Sequence, residues 1–167
     1  ILHGAGKATS DNFTVKGGKY NKTIPDSFLE AGLTCTKKDG VYVIQEKPTV
    51  AIIGDVEYKD FKESIDNAKD GDTIKLLADV SLSKRIVLDK NLTLDLGGNA
   101  IEANKTYVFD IYSNVVIKNG TVSSNKFKKS NSTIWLNKNA SLVVESDATI
   151  SAKSSKGYSS FAIALNT

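Results

Sequence analysis

At 167 residues the chain has material for one ordinary domain, or for one domain with a small appendage, and its 40% hydrophobic and 25% charged residues describe a globular protein rather than a disordered one. The net charge is only +3 and almost all the positive charge is lysine, with Arg85 the sole arginine. That balance argues against a nucleic-acid reader, and no apolar run approaches the length of a membrane span.

Single residues exclude further classes. Cys35 stands alone, so neither an intrachain disulfide nor a cysteine metal site can form. His3 is the only histidine and lies in a glycine-containing arm without periodicity, so no triad or zinc site assembles around it. The chain opens on Ile1 and contains no methionine, as a processed product or an excised piece would.

Residues 12–20 read as a short strand, with Phe13 and Val15 on one face and Gly17-Gly18 ending it. Residues 25–32 read as one or two helical turns between Pro25 and Gly32. Residues 33–36 and 41–44 make a hairpin turning at Lys38-Asp39-Gly40, and Lys47-Pro48 marks a boundary. The expected division is a strand–helix–hairpin segment over 1–47 and a second domain over 48–167.

The second domain opens on a short hairpin, 50–53 with 56–58. The period then changes. Phe61, Ile65 and Ala68 stand at i, i+4 and i+7, the stripe of a short amphipathic helix over 59–69, with Asp60 as N-cap and Asp70-Gly71-Asp72 as stop.

Beyond 71 period two dominates. Apolar pairs recur at Ile74 and Leu76, Ile86 and Leu88, Leu92 to Leu96, Val115 and Ile117, Ile134 and Leu136, and Leu142 and Val144. The stretches beginning at Asn91, Asn114 and Ala140 are variants of one unit, spaced 23 and 26 residues apart. A period in the twenties with a strand set per repeat predicts an all-β solenoid, a right-handed parallel β-helix, with the helix as its N-terminal cap. An antiparallel sandwich is the alternative, but Asn119-Gly120 is its only tight-turn signal.

Residues 50–101 resemble the opening of parallel β-helix modules in large bacterial surface proteins of the pectate-lyase-like superfamily. The matching elements are Gly54 with Tyr58, the FKESIDNA helix, the DGDTIKLL turn and NLTLDLGG. Residues 13–44 resemble the piece that closes such a module. The resemblance implies a non-catalytic structural or adhesive module, extracellular or on the cell surface, whose partners are other copies or adjacent modules. The strand with Phe161, Ile163 and Leu165 would then accept the Phe13 and Val15 strand of a neighbour, in a tandem array or a head-to-tail filament.

The same superfamily contains polysaccharide lyases and hydrolases, so the alternative is a carbohydrate-binding or polysaccharide-degrading protein. Such chemistry needs clustered carboxylates, with an Arg or Lys base in a lyase. Asp89, Asp95 and Asp110 do not recur at one repeat position, so neither catalysis nor a cofactor or metal is expected. Tyr107, Tyr112, Phe127, Trp135 and Tyr158 are the aromatics available for a glycan platform, with Trp135 on the outward face the best placed. A host receptor is a further possible partner, and a phage or pilus-like fibre would share the pattern. Seven Asn-X-Ser/Thr sequons, at Asn12, Asn21, Asn91, Asn104, Asn119, Asn131 and Asn139, follow either export or a turn-rich composition.

Overall fold

A computed structural model of the chain describes residues 13–104, 106–127, 131–154 and 159–166. The chain divides into two compact units, Ile1–Pro48 and Thr49–Thr167.

In the first unit, β1 (Lys19–Tyr20), β2 (Leu33–Lys38) and β3 (Val41–Glu46) form an antiparallel sheet in the order β1-β3-β2. Asp39 and Gly40 turn between β2 and β3 with φ of 50° and 85°, values that a turn aspartate tolerates and glycine adopts freely. In place of the predicted helix there is one 3-10 turn, Asp26–Phe28. It goes no further because Leu29 is already extended and joins Val15 in a parallel bridge. Val15 N–H donates to Phe28 O at 2.6 Å and Glu30 N–H to Val15 O at 3.1 Å, while Phe13 stacks on Phe28 with ring centroids 5.2 Å apart. The predicted strand over 12–20 is therefore this bridge plus β1, split at Gly17-Gly18. Among the described residues of this unit, Ile44 is the only buried apolar side chain.

The second unit opens with β4 (Ala51–Ile53), β5 (Val56–Tyr58) and α1 (Phe61–Asn67). There follow β6 (Thr73–Leu76), β7 (Val80–Leu82), β8 (Ile86–Leu88), β9 (Leu92–Asp95), β10 (Ala100–Asn104) and β11 (Phe109–Ile111). The rest are β12 (Asn114–Lys118), β13 (Gly120–Phe127), β14 (Asn131–Asn137), β15 (Ser141–Val144), β16 (Ala148–Ser154) and β17 (Ser160–Asn166). From β6 onward each strand pairs in parallel with the strand three places along, giving sheets β16-β13-β10-β7, β17-β14-β11-β8 and β15-β12-β9-β6-β4-β5.

These findings correct the expected fold class. The chain is mostly β, but its strands lie in separate parallel and mixed sheets and not in a solenoid. Nor does an N-terminal capping helix begin the unit: α1 is internal, and the edge of β6 is filled by β4, antiparallel to it and paired in turn with β5. The physical reason is backbone pairing. Gly54, at φ 56°, lets the chain reverse within two residues, and the hairpin supplies the N–H and C=O groups that an open strand edge requires. A helix satisfies its own backbone groups and cannot do so.

Alternation along the strands sends every second side chain to one apolar core. Ile74, Leu94 and Ile117 lie in register there, as do Ile86, Phe109 and Ile134, and Val80, Ile101 and Val122. All of these but the half-buried Val80 are buried, and each fully buried large aliphatic contributes about 1.5–3 kcal/mol. Helix α1 adds Phe61 and Ile65, and its C-cap adds Ala68, to the same core. Asp60 caps it by accepting Glu63 N–H at 3.0 Å, and Lys90 Nζ donates to the carbonyls of Ile65 and Asp66 near its C-terminal end.

Candidate functional site

The three strands that follow β14 are all sheet edges: β15, β16 and β17 each stand last in their sheet. Their core-side residues continue the buried columns. Ile163 pairs with Ile134 and Leu165 with Leu136, while Phe161 stands beside Ser132. Ser132 and Ile134 are buried, yet Phe161 is 56%, Ile163 39% and Leu165 65% exposed. Leu142 and Val144 on β15, in register with Val115 and Ile117, and Ile150 on β16, in register with Val122, are half-buried on the same terms. These three edges thus leave an apolar face that points the way the core points but, among the described residues, has no further strand paired beyond it.

The outward face of the mixed sheet carries a column of alternating charge. Lys75 and Lys118 flank Asp95 in register on either side. Glu145 comes next: one place beyond the Ile117–Val144 pair, it donates its N–H to Ile117 O at 3.0 Å. Partial burial pushes the Asp95 carboxyl pKa up. The Asn119 side-chain amide, the Gly97 N–H, Lys118 and Lys75 outweigh it and hold the value below the usual aspartate range.

A second polar group lies on the outward face of the β8–β11–β14–β17 sheet, where Val87, Asp110, Trp135 and Ala164 are in register. Arg85 Nη1 donates to the Tyr107 hydroxyl, and its guanidinium lies 5.3 Å from the Tyr107 ring centroid. Arg85 Nε is 3.7 Å from Asp110 Oδ2, and Tyr107 meets Trp135 edge-on at 6.4 Å. Asp110 also accepts Asn137 Nδ2 at 2.7 Å, and Asn137 Oδ1 accepts Asn166 Nδ2 at 2.9 Å.

Of the acids singled out in the sequence, Asp95 lies on β9 and Asp110 on β11, in different sheets, and Asp89 lies in the loop after β8. Among the described residues no three of His, Cys, Asp and Glu are grouped to hold a metal ion, and no helix is long and apolar enough to cross a membrane. His3, Tyr158 and the sequon at Asn12 lie outside the described residues, and so do the side chains of Phe127 and Asn131. Asn91 and Asn119 have structural partners: Asn91 Oδ1 accepts Asn114 N–H, and Asn119 Nδ2 donates to Asp95. The charge column and the Arg85–Tyr107 contact carry no local sequence signal, because both depend on strand register. No family model, curated protein or solved structure matches the chain.

Proposed function

We propose that the chain is a non-catalytic structural or adhesive module of an exported bacterial surface protein, joined head to tail to further copies through the edges of β15, β16 and β17. The supporting observation is the row Phe161, Ile163 and Leu165, exposed on the face that the preceding layer buries. A second copy is the fitting occupant because the opposite ends of these sheets, at β5, β7 and β8, are built from different strands than the β15, β16 and β17 ends. Stacking is then heterologous and does not close on itself. The first unit complements it, since a segment of that size burying only Ile44 among its described apolar residues has surface left to cover. The Ser-, Thr-, Asn- and Lys-rich composition favours an exported surface.

Sedimentation velocity over a concentration series, with electron microscopy of the same samples, tests this reading. Self-association that Ile163→Lys with Leu165→Lys abolishes is the expected result. A wild-type chain that stays monomeric at high concentration overturns it.

The Arg85–Tyr107–Trp135 cluster favours carbohydrate binding as a second reading, because aromatic rings beside a half-exposed guanidinium, held from behind by the buried Asp110 and Asn137, suit a sugar's apolar and hydroxyl sides. Glycan-array binding that Trp135→Ala abolishes supports it, and binding that survives the substitution discards it.

A further inference from the structure

We infer that β15 is continued by residues 13–16 of a second copy, added as a parallel strand with Lys16 beside Glu145; this rests on the head-to-tail reading above and specifies its pairing. The first ground is the side-chain pattern. Leu92-Thr93-Leu94-Asp95, Val115-Val116-Ile117-Lys118 and Leu142-Val143-Val144-Glu145 are stacked in one sheet, and each reads core residue, β-branched residue, core residue, charge. Phe13-Thr14-Val15-Lys16 has the same pattern.

The second ground is charge. Along the sheet the column runs Lys75, Asp95, Lys118, Glu145. Within the first unit Lys16 Nζ lies 3.0 Å from Glu30 Oε1, and the Val15–Leu29 bridge puts these two side by side. Adding residues 13–16 to β15 carries the alternation without a break through Lys16 to Glu30. Opposite charges directly across a strand pair are favourable and like charges are not.

Backbone phasing agrees. Val15 directs both its N–H and its C=O to Phe28 and Glu30, so alternation turns those of Thr14 and Lys16 to the opposite edge. On β15, Ser141 N–H donates to Ser113 O just before β12 and Glu145 N–H to Ile117 O within it, so alternation turns the groups of Leu142 and Val144 outward. Thr14 N–H then meets Leu142 O, Val144 N–H meets Thr14 O, and Lys16 N–H meets Val144 O. That sets Phe13 over Leu142 and Val15 over Val144, on the core side.

A glycine recurs two places after the charge, at Gly97, Gly120 and Gly18. A Cβ on Gly97 would stand 2.8 Å from Leu76 O, and one on Gly120 would stand 2.4 Å from Asn99 O, so this position packs against the backbone of the preceding layer. At Gly18 a Cβ would instead stand 3.0 Å from the Tyr20 hydroxyl of the same unit, and after Glu145 this place is taken by Asp147, so the glycine is shared in spacing only.

The test is register-specific cross-linking of the full chain. Thr14→Cys and Val143→Cys, each on a Cys35→Ser background, are mixed and oxidised. In-register neighbours stand about 4.8 Å apart, within disulfide reach. The expected result is a Thr14–Val143 heterodimer, with none when Val116→Cys replaces Val143→Cys. Lys16→Glu and Glu145→Lys each weaken self-association by roughly threefold or more, and the double variant associates more tightly than additivity predicts. If the Ile163 and Leu165 variant loses association while cross-linking shows no preference for Val143 and the charge cycle is additive, the edge assembly stands and this pairing falls. A wild-type chain that never associates overturns both.

Discussion

Asn119 Nδ2 donates to Asp95 Oδ1 at 2.9 Å, tying the turn after β12 to the end of β9. Gly97 N–H gives the same carboxylate oxygen a second bond at 3.1 Å. These bonds, with Lys118 and Lys75 nearby, favour the ionised form over the opposing effect of partial burial, so the folded pKa lies below the unfolded one. Their stabilisation is complete above the unfolded value of about 4 and is lost as pH falls through the folded value. Urea midpoints measured from pH 6 to pH 2 are expected to fall less steeply for Asp95→Asn than for the wild type. Because Asp95 is partly exposed, the difference is below about 1 kcal/mol.

Gly120→Ala tests the close approach of neighbouring layers. The added methyl would stand 2.4 Å from Asn99 O and 2.6 Å from Leu96 Cβ, and neither the backbone oxygen nor the packed leucine can give way cheaply. Thermal or urea unfolding is expected to show a loss of about 3 kcal/mol. Gly98→Ala, with open space around its Cβ, bears only the strain of its φ of 85° and costs less.

Phe109→Ala and Leu165→Ala separate a finished layer from an unfinished one. Phe109 is fully buried between Ile86 and Ile134, so truncation removes about 3–5 kcal/mol from unfolding stability. Leu165 continues the column of Leu88, Ile111 and Leu136 but is 65% exposed. Its truncation is expected to cost the dilute chain under about 1 kcal/mol and to act mainly on self-association.

Asp60→Ala removes the oxygen that accepts Glu63 N–H. Chemical unfolding is expected to report about 1 kcal/mol lost, restored in large part by Asp60→Ser.

Helix α1 was legible because its N-cap and its Phe61–Ile65–Ala68 stripe are local signals. Strands β9, β12 and β15 were legible because two apolar residues flank one position in each. Strands β7, β10, β11, β13 and β16 are not legible in the same way: among its described side chains β13 brings only Val122 as a large apolar core residue and buries Ser124, whose hydroxyl is satisfied by Thr133 at 2.6 Å. Such a segment looks like a loop until its polar partner is in place. The hairpin β4–β5 is marked in the sequence by its turn, but its place at the edge of β6 depends on pairing that no local pattern encodes. Of the site, period two gave Phe161, Ile163 and Leu165 a shared face and set Trp135 opposite Ile134 and Leu136. That the first face is a continuation of the core, and that Lys75, Asp95, Lys118 and Glu145 make a column, depends on register across strands.

The strand pairing of the second unit also bears on how the molecule comes apart. The Asn91–Asn114 hydrogen bond spans 23 residues and the Asn119–Asp147 bond spans 28, so each added layer closes a loop of similar length and cost. What differs is the burial gained: complete around Leu94, Ile117 and Phe109, and partial at Leu142, Ile150 and Ile163. Amide exchange is therefore expected to run as a gradient, slow through β9 to β12 and fast in β15 to β17, with opening entering from the last strands inward. Occupation of that edge would slow exchange there first, making the fraying end a direct gauge of whether a neighbour is bound.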